Sequence, residues 1–198
     1  MAANEALLEI ASVVGAPEGD RRLIAGWARR GHAGLEACWD PDLGLCLDYD
    51  VSIGRPIRSR TIAGFAPLIS GGVTVERLAD LLLRFDSPDF TGSAMLRRPL
   101  PPATSPDEKR FDPRSYWRGP VWPITNWLLW WSLERAGASD RASRIRRASL
   151  DQIAEGGFAE YFEPFTGEPL GSPDQSWTAA VVLDWLLAEP ARVEAEAA

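Results

Sequence analysis

Residues 120–136, PVWPITNWLLWWSLERA, decide the fold class. Pro120 and Pro123 stand near the start of the segment, where a helix tolerates the missing N–H of proline. Apolar side chains then follow on nearly every side of a helical projection, including Trp127, Trp130 and Trp131. A helix that is apolar nearly all round is typically buried between neighbours. The segment therefore predicts a central helix inside an α-helical domain.

Outward from this helix, apolar residues recur at helical spacing in other segments, whereas strand-like alternation is short. The sequence predicts about seven helices and no credible sheet, so the fold class is all-α. The predicted helices cover residues 4–14, 20–37, 61–69, 74–85, 120–136, 139–154 and 172–187, with Asp20, Ser139 or Asp140, and Ser172 or Asp174 as N-caps.

The connecting segments give weaker signals. Residues 39–56 predict a small hairpin or an extended loop, and Gly71–Gly72 predict a helix stop. Residues 87–119 are rich in proline and charge, which predicts either an interdomain linker or a long loop that forms a site within one domain, 1–198. The tail, residues 189–198, is expected to fray.

Composition excludes several function classes. The chain has 198 residues and a formal charge of −7, so it lacks the basic face that nucleic-acid binding requires. No apolar run is long enough to span a bilayer and no signal peptide is evident, which predicts a cytoplasmic protein with no membrane partner. Cys38, Cys46 and His32 are expected to be structural, so neither a metal nor a cofactor is predicted.

Two loops resemble each other. DYDVSIGRP (48–56) and EYFEPFTGEP (160–169) each place an acid before a tyrosine and close on Gly-x-Pro. Each follows a predicted helix and a glycine-containing turn. The echo predicts a repeated helix–loop–helix unit that presents both loops at one end.

Aromatic and acidic residues are concentrated in the second half of the chain. Seven of the nine tryptophans lie from Trp117 onward, and the loop GFAEYFEPFTGEPLGSPDQSW (157–177) holds three glutamates. Paired carboxylates beside aromatic rings are typical of glycoside hydrolysis. Glu163 and Glu168 remain candidates, but Glu160 lies beside hydrophobic neighbours that favour a desolvated base.

Two motifs carry a family resemblance. YWRGPVWPITNW (116–127) and FAEYFEPFTGEPLGSPDQSWTAA (158–180) resemble glycoside hydrolase family 63, especially its bacterial mannosylglycerate and glucosylglycerate hydrolases. Residues 39–68 fit the same group more loosely. The resemblance implies an (α/α)6 barrel of about twelve helices that acts by inversion, with an aspartate acid and a glutamate base.

The resemblance also implies roles for particular residues. Glu160 matches the general base, and Gln175 matches a polar residue near the glycerate side. The aromatic sugar-binding wall is matched by Tyr116, Trp117 and Trp122, and Arg118 accompanies it in the motif.

The implied general acid precedes the matched region, so the chain resembles the C-terminal half of the six-hairpin toroid. Its expected partners are a small saccharide or glycosyl-glycerate substrate and either the missing N-terminal half or a second copy. The alternatives are a non-catalytic saccharide- or partner-binding module and one half of a split enzyme. Asp48 or Asp50, in the echoing loop, remains a candidate substitute acid.

Overall fold

The computed structural model describes residues 1–70 and 73–188, and within them the α-helical prediction is confirmed. The predicted Gly71–Gly72 stop and the tail 189–198 lie outside the described residues. The α-helices are α1 (Ala2–Val13), α2 (Glu18–Ala37), α3 (Ala66–Ile69), α4 (Val75–Phe85), α5 (Pro123–Arg135), α6 (Ser139–Gly156) and α7 (Ser176–Leu187). Short 3₁₀ helices cover Ile62–Phe65 and Tyr116–Arg118.

The central helix is α5, which packs mainly on α6 and also contacts α3 and α7. Leu129 and Leu133 are buried in the main core with Ile145 of α6. A second cluster, built around Phe162 and Trp185, adjoins it, and Trp130 packs against both clusters. The predicted burial of α5 is therefore confirmed for its core face, whereas its three tryptophans, Trp127, Trp130 and Trp131, are partly exposed.

Several helix starts differ from the predictions. α2 begins at Glu18 after Pro17, so Asp20 is not its N-cap. α7 begins at Ser176 with Gln175 as its N-cap, because the preceding residues extend from a hairpin rather than a helical turn. α5 begins at Pro123 rather than residue 120, because the backbone of Val121 is paired with Phe162.

In the part of the chain that the structure describes, six short strands form three antiparallel hairpins, so the expectation of no sheet was wrong at this local level, whereas the hairpin alternative for residues 39–56 is confirmed. The strands are β1 (Trp39–Asp40), β2 (Leu45–Cys46), β3 (Asp48–Asp50), β4 (Arg55–Ile57), β5 (Tyr161–Phe162) and β6 (Pro169–Leu170). β1 pairs with β2, β3 with β4, and β5 with β6. Strands of two or three residues are too short to produce a readable alternation.

The echoing loops share one structure. Both fold as antiparallel hairpins, in which Tyr49 pairs with Pro56 and Phe162 pairs with Pro169. Gly54 and Gly167 stand at matching positions with φ of 67° and 78°. This left-handed backbone explains why the Gly-x-Pro ending appears in both. The similarity between the two loop sequences therefore corresponds to a hairpin that both loops form.

The proline-rich segment, residues 87–119, packs into the main core. Phe90 and Leu100 are fully buried there, and Phe90 lies edge-on to Phe65 with ring centroids 4.8 Å apart. The segment therefore behaves as a long packed loop, and its last residues carry the Tyr116–Arg118 turn.

A buried ionic network holds the start of this loop. Asp89 accepts hydrogen bonds from Arg60 and Arg84, each 2.7 Å long, and from Ser105 over 2.7 Å. Arg60 also donates to Glu108 over 2.8 Å. The start of the loop is thereby tied to α4 and to the segment before α3, and its middle joins the same network through Ser105 and Glu108. Among the described helices, none is long and apolar enough to cross a membrane.

Candidate active site

The segment that carries Glu160 is fixed from the side of α7. α6 ends at Gly156, and Gly157 turns the chain with a φ of 73°. Beyond the turn, the carbonyl of Ala159 accepts a hydrogen bond from the Thr178 hydroxyl over 2.8 Å, and the carbonyl of Phe158 accepts one from the Gln175 amide over 2.8 Å. These bonds set the backbone immediately before Glu160.

The same segment is fixed from the side of α5. Val121 and Phe162 exchange backbone hydrogen bonds, and Phe162 is buried. Pairing at these two residues places their neighbours, Trp122 and Tyr161, beside each other. The loop motif and the glutamate motif therefore meet at one place.

Aromatic rings form a stacked wall at this meeting point. The ring of Trp122 is fully buried and lies 4.0 Å from Trp117 on one side and 4.6 Å from Tyr161 on the other. Tyr116 packs edge-on against all three rings. Trp117 is 49% exposed, although one face is covered by Trp122. Its other face is the flat apolar surface that a sugar ring requires.

Glu160 lies directly against this wall. Its Oε1 accepts a hydrogen bond from the Tyr116 hydroxyl over 3.3 Å, and its Oε2 accepts one from the Ser172 amide over 3.2 Å. Desolvation raises the pKa of Tyr116, and the charge of Glu160 and this hydrogen bond raise it further. The phenol therefore keeps its proton and remains a donor to the carboxylate.

The other two glutamates of the loop serve the hairpin. Glu163 is buried, and its Oε2 accepts hydrogen bonds from the Phe165 amide over 2.8 Å and from the Thr166 hydroxyl over 2.7 Å. Glu168 forms a bidentate ion pair with Arg114, which lowers the pKa of the Glu168 carboxyl. Both carboxylates are committed to local structure, so the structure distinguishes Glu160 from them.

The two remaining candidates lie close to the wall in the chain but are held differently. Gln175 caps α7, and its Oε1 accepts a hydrogen bond from the Ser176 amide over 3.1 Å. Arg118 is exposed, and its carbonyl accepts a hydrogen bond from the Asp112 amide over 3.1 Å. The structure thus brings Glu160, Tyr116, Trp117 and Trp122 together and places Gln175 beside the Glu160 segment.

Two further aromatic residues belong to this place and were not predicted as site residues. Tyr161 extends the stack, and Trp177 lies with its ring centroid 6.4 Å from that of Trp122. Both stand inside the motifs that marked the site, in EYF and in DQSW. Trp177 falls within both the loop 157–177 and the predicted helix 172–187, but the sequence predicted no site role for it.

Other chemistry finds less support. Within residues 1–70 and 73–188, no cluster of His, Cys, Asp and Glu side chains has the arrangement of a metal site. Asp50 accepts hydrogen bonds from the Ser52 hydroxyl over 2.6 Å and the Ser52 amide over 2.9 Å. These bonds lower the pKa of Asp50, which is the opposite of what a general acid requires.

Comparison with known proteins places this geometry in context. A family model for the mannosylglycerate hydrolase MGH1-like glycoside hydrolase domain matches residues 1–178. The chain is 45% identical over 184 residues to a glucosylglycerate hydrolase from Mycolicibacterium hassiacum, covering 93% of this chain and 41% of that protein. It is 36% identical over 162 residues to a mannosylglycerate hydrolase from Thermus thermophilus, covering 82% of this chain and 38% of that protein.

A solved structure agrees with these relatives. The crystal structure of a GH63 mannosylglycerate hydrolase from Thermus thermophilus in complex with glucose superposes with a TM-score of 0.86 at 34% identity. The match covers 93% of this chain and 45% of that chain. The helices described above therefore form part of an (α/α)6 barrel. The chain spans about two fifths of the length of the curated relatives it matches.

Proposed function

This chain belongs to the mannosylglycerate hydrolase MGH1-like glycoside hydrolase family, and from that membership we propose that it supplies the general base and aromatic wall of an inverting α-glycosidase. The substrate is a small glycoside of glycerate, such as glucosylglycerate or mannosylglycerate. The observation that carries the proposal is the Glu160 carboxylate set against the Tyr116–Trp117–Trp122 wall.

Glu160 acts on water in this proposal. Each carboxylate oxygen has about two acceptor positions, and Tyr116 and Ser172 occupy one on each oxygen. The remaining positions accept a proton from a water molecule whose oxygen attacks the anomeric carbon. The bond from that carbon to the glycerate oxygen breaks, and the glycerate oxygen receives a proton from a separate acid.

The sugar and the aglycone contact different residues around Glu160. The exposed face of Trp117 packs on the sugar ring, while Trp122 and Tyr161 keep that face in place from behind. Gln175 provides a polar group for the glycerate side, and Arg118 is a further substrate-binding residue beside the wall. The printed names of the relatives, which are hydrolases of glucosylglycerate and mannosylglycerate, support this substrate class.

The general acid is proposed to come from a further polypeptide segment that packs on this chain. Inverting glycosidases hold the two carboxyl groups about 6.5–9.5 Å apart. Exposed apolar side chains support such packing: Ile10 and Val13 of α1 are 56% and 87% exposed. None of the side chains that the structure describes in α2 is buried. A preceding segment of the same protein, a separate chain, and a second copy are the three candidate partners.

A second function, saccharide binding without catalysis, is favoured by one observation. The aromatic wall is assembled within this chain, whereas Asp50, the candidate acid in the echoing hairpin, is held ionised by Ser52. A chain that holds the aromatic wall but receives no proton from Asp48 or Asp50 binds saccharide without releasing product. Calorimetry of the isolated chain with glucosylglycerate, followed by product analysis, separates binding from hydrolysis.

The proposed function is tested by Glu160→Gln in the protein encoded by the complete gene. Turnover of glucosylglycerate and mannosylglycerate is expected to fall at least about 100-fold, because the base is lost, while substrate affinity stays. Glu168→Gln is the matched control, since that glutamate pairs with Arg114 and is expected to leave turnover nearly unchanged. Unchanged turnover in the Glu160 variant contradicts the assignment.

The stereochemistry is tested separately. Proton NMR during the first minutes of hydrolysis distinguishes the two anomers of the released sugar before they equilibrate. Inversion of an α-glycoside releases the β-anomer first. Initial release of the α-anomer rules out the inverting mechanism, whatever the Glu160 variant does.

A further inference from the structure

The hairpin formed by β5 and β6 returns to Glu160 at a glycine. Gly171 has a φ of 74° and lies against the glutamate side chain. A β-carbon at this position would lie 2.6 Å from Glu160 Oε2 and 2.8 Å from Glu160 Cβ. It would also lie 2.6 Å from Cε1 of Tyr161. Real β-carbon contacts are essentially never this short, so a side chain here displaces the glutamate.

The close approach delivers a hydrogen-bond donor to the carboxylate. Ser172, the next residue, donates its amide hydrogen to Glu160 Oε2 over 3.2 Å. Its carbonyl accepts a hydrogen bond from the Glu160 amide over 2.9 Å. Glu160 is therefore held to residue 172 through both its backbone and its side chain, and glycine at 171 permits both bonds.

The second donor to the Glu160 carboxylate, the Tyr116 hydroxyl, belongs to a residue with an unusual backbone conformation. Tyr116 has a φ of 32°, in a region that residues with a side chain rarely adopt. Its carbonyl accepts a hydrogen bond from Trp122 Nε1 over 3.1 Å, and its ring packs against three aromatic neighbours. Strained backbone that its surroundings hold in place is typical of functional sites. The strain aims the phenol at Glu160 Oε1.

Other glycines with left-handed backbone lack the close contacts that a side chain at Gly171 would make. Gly15, Gly137 and Gly157 have φ of 66°, 74° and 73°, and a β-carbon at any of them would have nothing within 4 Å. Those positions need glycine for the turn alone. Gly171 needs it for the turn and for the space that Glu160 occupies.

We infer that Gly171 is a positioning residue for the proposed base, because it seats the Ser172 amide on Oε2 while Tyr116 holds Oε1 and so fixes the plane of the Glu160 carboxylate. This inference rests on the proposed function of Glu160. With one donor on each oxygen, the carboxylate cannot rotate without losing a bond. Its unoccupied acceptor positions then stay directed at the water.

The test compares Gly171→Ala with Gly137→Ala in the protein encoded by the complete gene. Both variants place a side chain on left-handed backbone, but only the first also meets Glu160 and the ring of Tyr161. Gly171→Ala is expected to lower kcat about 10- to 100-fold with KM within about threefold, since a displaced base misaligns the water. Gly137→Ala is expected to keep kcat near wild type. Equal kcat values in the two variants overturn the inference.

A spectroscopic measurement adds a readout that general destabilisation does not move. The charge of Glu160 contributes to the raised pKa of Tyr116. Displacing the carboxylate is expected to lower the pKa of Tyr116 towards the ordinary value in Gly171→Ala but not in Gly137→Ala. The tyrosine ring-carbon NMR signals report this titration. A pKa of Tyr116 that is the same in both variants also overturns the inference.

The outcomes separate this inference from the proposed function. If Glu160→Gln keeps full turnover, the proposed function fails. If Glu160→Gln is inactive while Gly171→Ala behaves like Gly137→Ala, only the positioning role fails. If Gly171→Ala does not fold, the contact between the Ser172 amide and Glu160 is tested instead by the NMR shift of the Ser172 amide proton in the Glu160→Gln variant. Its NMR signal is expected to move upfield on loss of the charged acceptor, and an unmoved signal rules out the proposed contact.

Discussion

Val121 and Phe162 exchange both backbone hydrogen bonds, each 2.9 Å long. Phe162 lies in β5, and Val121 lies just before α5. This pairing sets Trp122 against Tyr161 at a ring distance of 4.6 Å. Two motifs that are far apart in the sequence are thus held in a fixed register. Trp122 of the first motif stacks on Tyr161 of the second, and Glu160 lies directly before Tyr161.

Tyr116→Phe tests the hydroxyl contact with Glu160. The change removes one donor from Oε1 and keeps the ring that packs in the wall. A hydrogen bond of this kind contributes about 1 kcal/mol, so kcat is expected to fall about fivefold. Steady-state kinetics with glucosylglycerate measure the change, and KM is expected to stay nearly constant.

The control is Tyr49→Phe, which also removes one tyrosine hydroxyl but lies in the other hairpin. The Tyr49 hydroxyl donates to the Gly54 carbonyl over 2.7 Å. Its loss is expected to leave kcat unchanged, since this bond closes a surface hairpin. A fall in kcat of the same size in both variants shows that hairpin stability, rather than the Glu160 contact, controls turnover.

Trp117→Ala is expected to affect mainly saccharide binding, and Trp122→Ala mainly the stability of the fold. Trp117 is half exposed, so its loss weakens saccharide binding several-fold and changes the free energy of unfolding by less than about 1 kcal/mol. Trp122 is fully buried, and its truncation is expected to cost about 3–5 kcal/mol of stability. Calorimetric titration and urea denaturation measure the two quantities. Unaltered saccharide affinity in Trp117→Ala contradicts the role of its exposed face.

The helical part of the fold could be predicted from the sequence because α6 carries a long periodic pattern of apolar residues and α5 is a long apolar run with prolines only near its start. Of the hairpins, the sequence indicated one only within residues 39–56, as an alternative to an extended loop. The strand pairs themselves could not be predicted, since each strand has two or three residues and the pairing depends on turns at glycines such as Gly54 and Gly167. Helix starts shifted for a similar reason. Val121 makes a tertiary backbone pair, and local propensity does not report such a pair.

The sequence predicted which residues form the candidate site, but it did not predict the contacts that give each of them a different role. The sequence left Glu160, Glu163 and Glu168 open until a family resemblance favoured the first. Their roles separate through contacts that only the fold creates: Glu163 binds the turn at Thr166, and Glu168 pairs with the distant Arg114. The stacking role of Tyr161 also depends on tertiary pairing, because its partner ring lies in another motif.

The Arg114–Glu168 pair is expected to stabilise the protein in a pH-dependent way. The Arg114 hydrogen bonds lower the pKa of Glu168 in the folded state. Its contribution is therefore fully present above the ordinary glutamate pKa of about 4.3 and is lost as the pH falls through the lower folded-state value. Urea midpoints of wild type and Glu168→Gln should differ at pH 7 and converge below about pH 4.

Salt provides the control for this pair. Both side chains are about half exposed, so added salt is expected to shrink the difference between wild type and Glu168→Gln at pH 7. A difference that persists unchanged at low pH and in high salt shows that the glutamine itself alters the hairpin. In that case the ion pair is not the cause.

Asp89→Asn is expected to be strongly destabilising because Asp89 is 5% exposed and pairs with two guanidinium groups. Removing its charge leaves Arg84 without the carboxylate that it pairs with and Arg60 with Glu108 alone, and breaking a buried pair in this way typically costs about 3–5 kcal/mol. Asp86→Asn is the control, since Asp86 pairs with Arg141 and Arg144 nearer the surface and its loss is expected to cost at most about 1 kcal/mol. Urea denaturation compares the two variants. Equal losses contradict a special role for the buried network in anchoring the loop that leads to the aromatic wall.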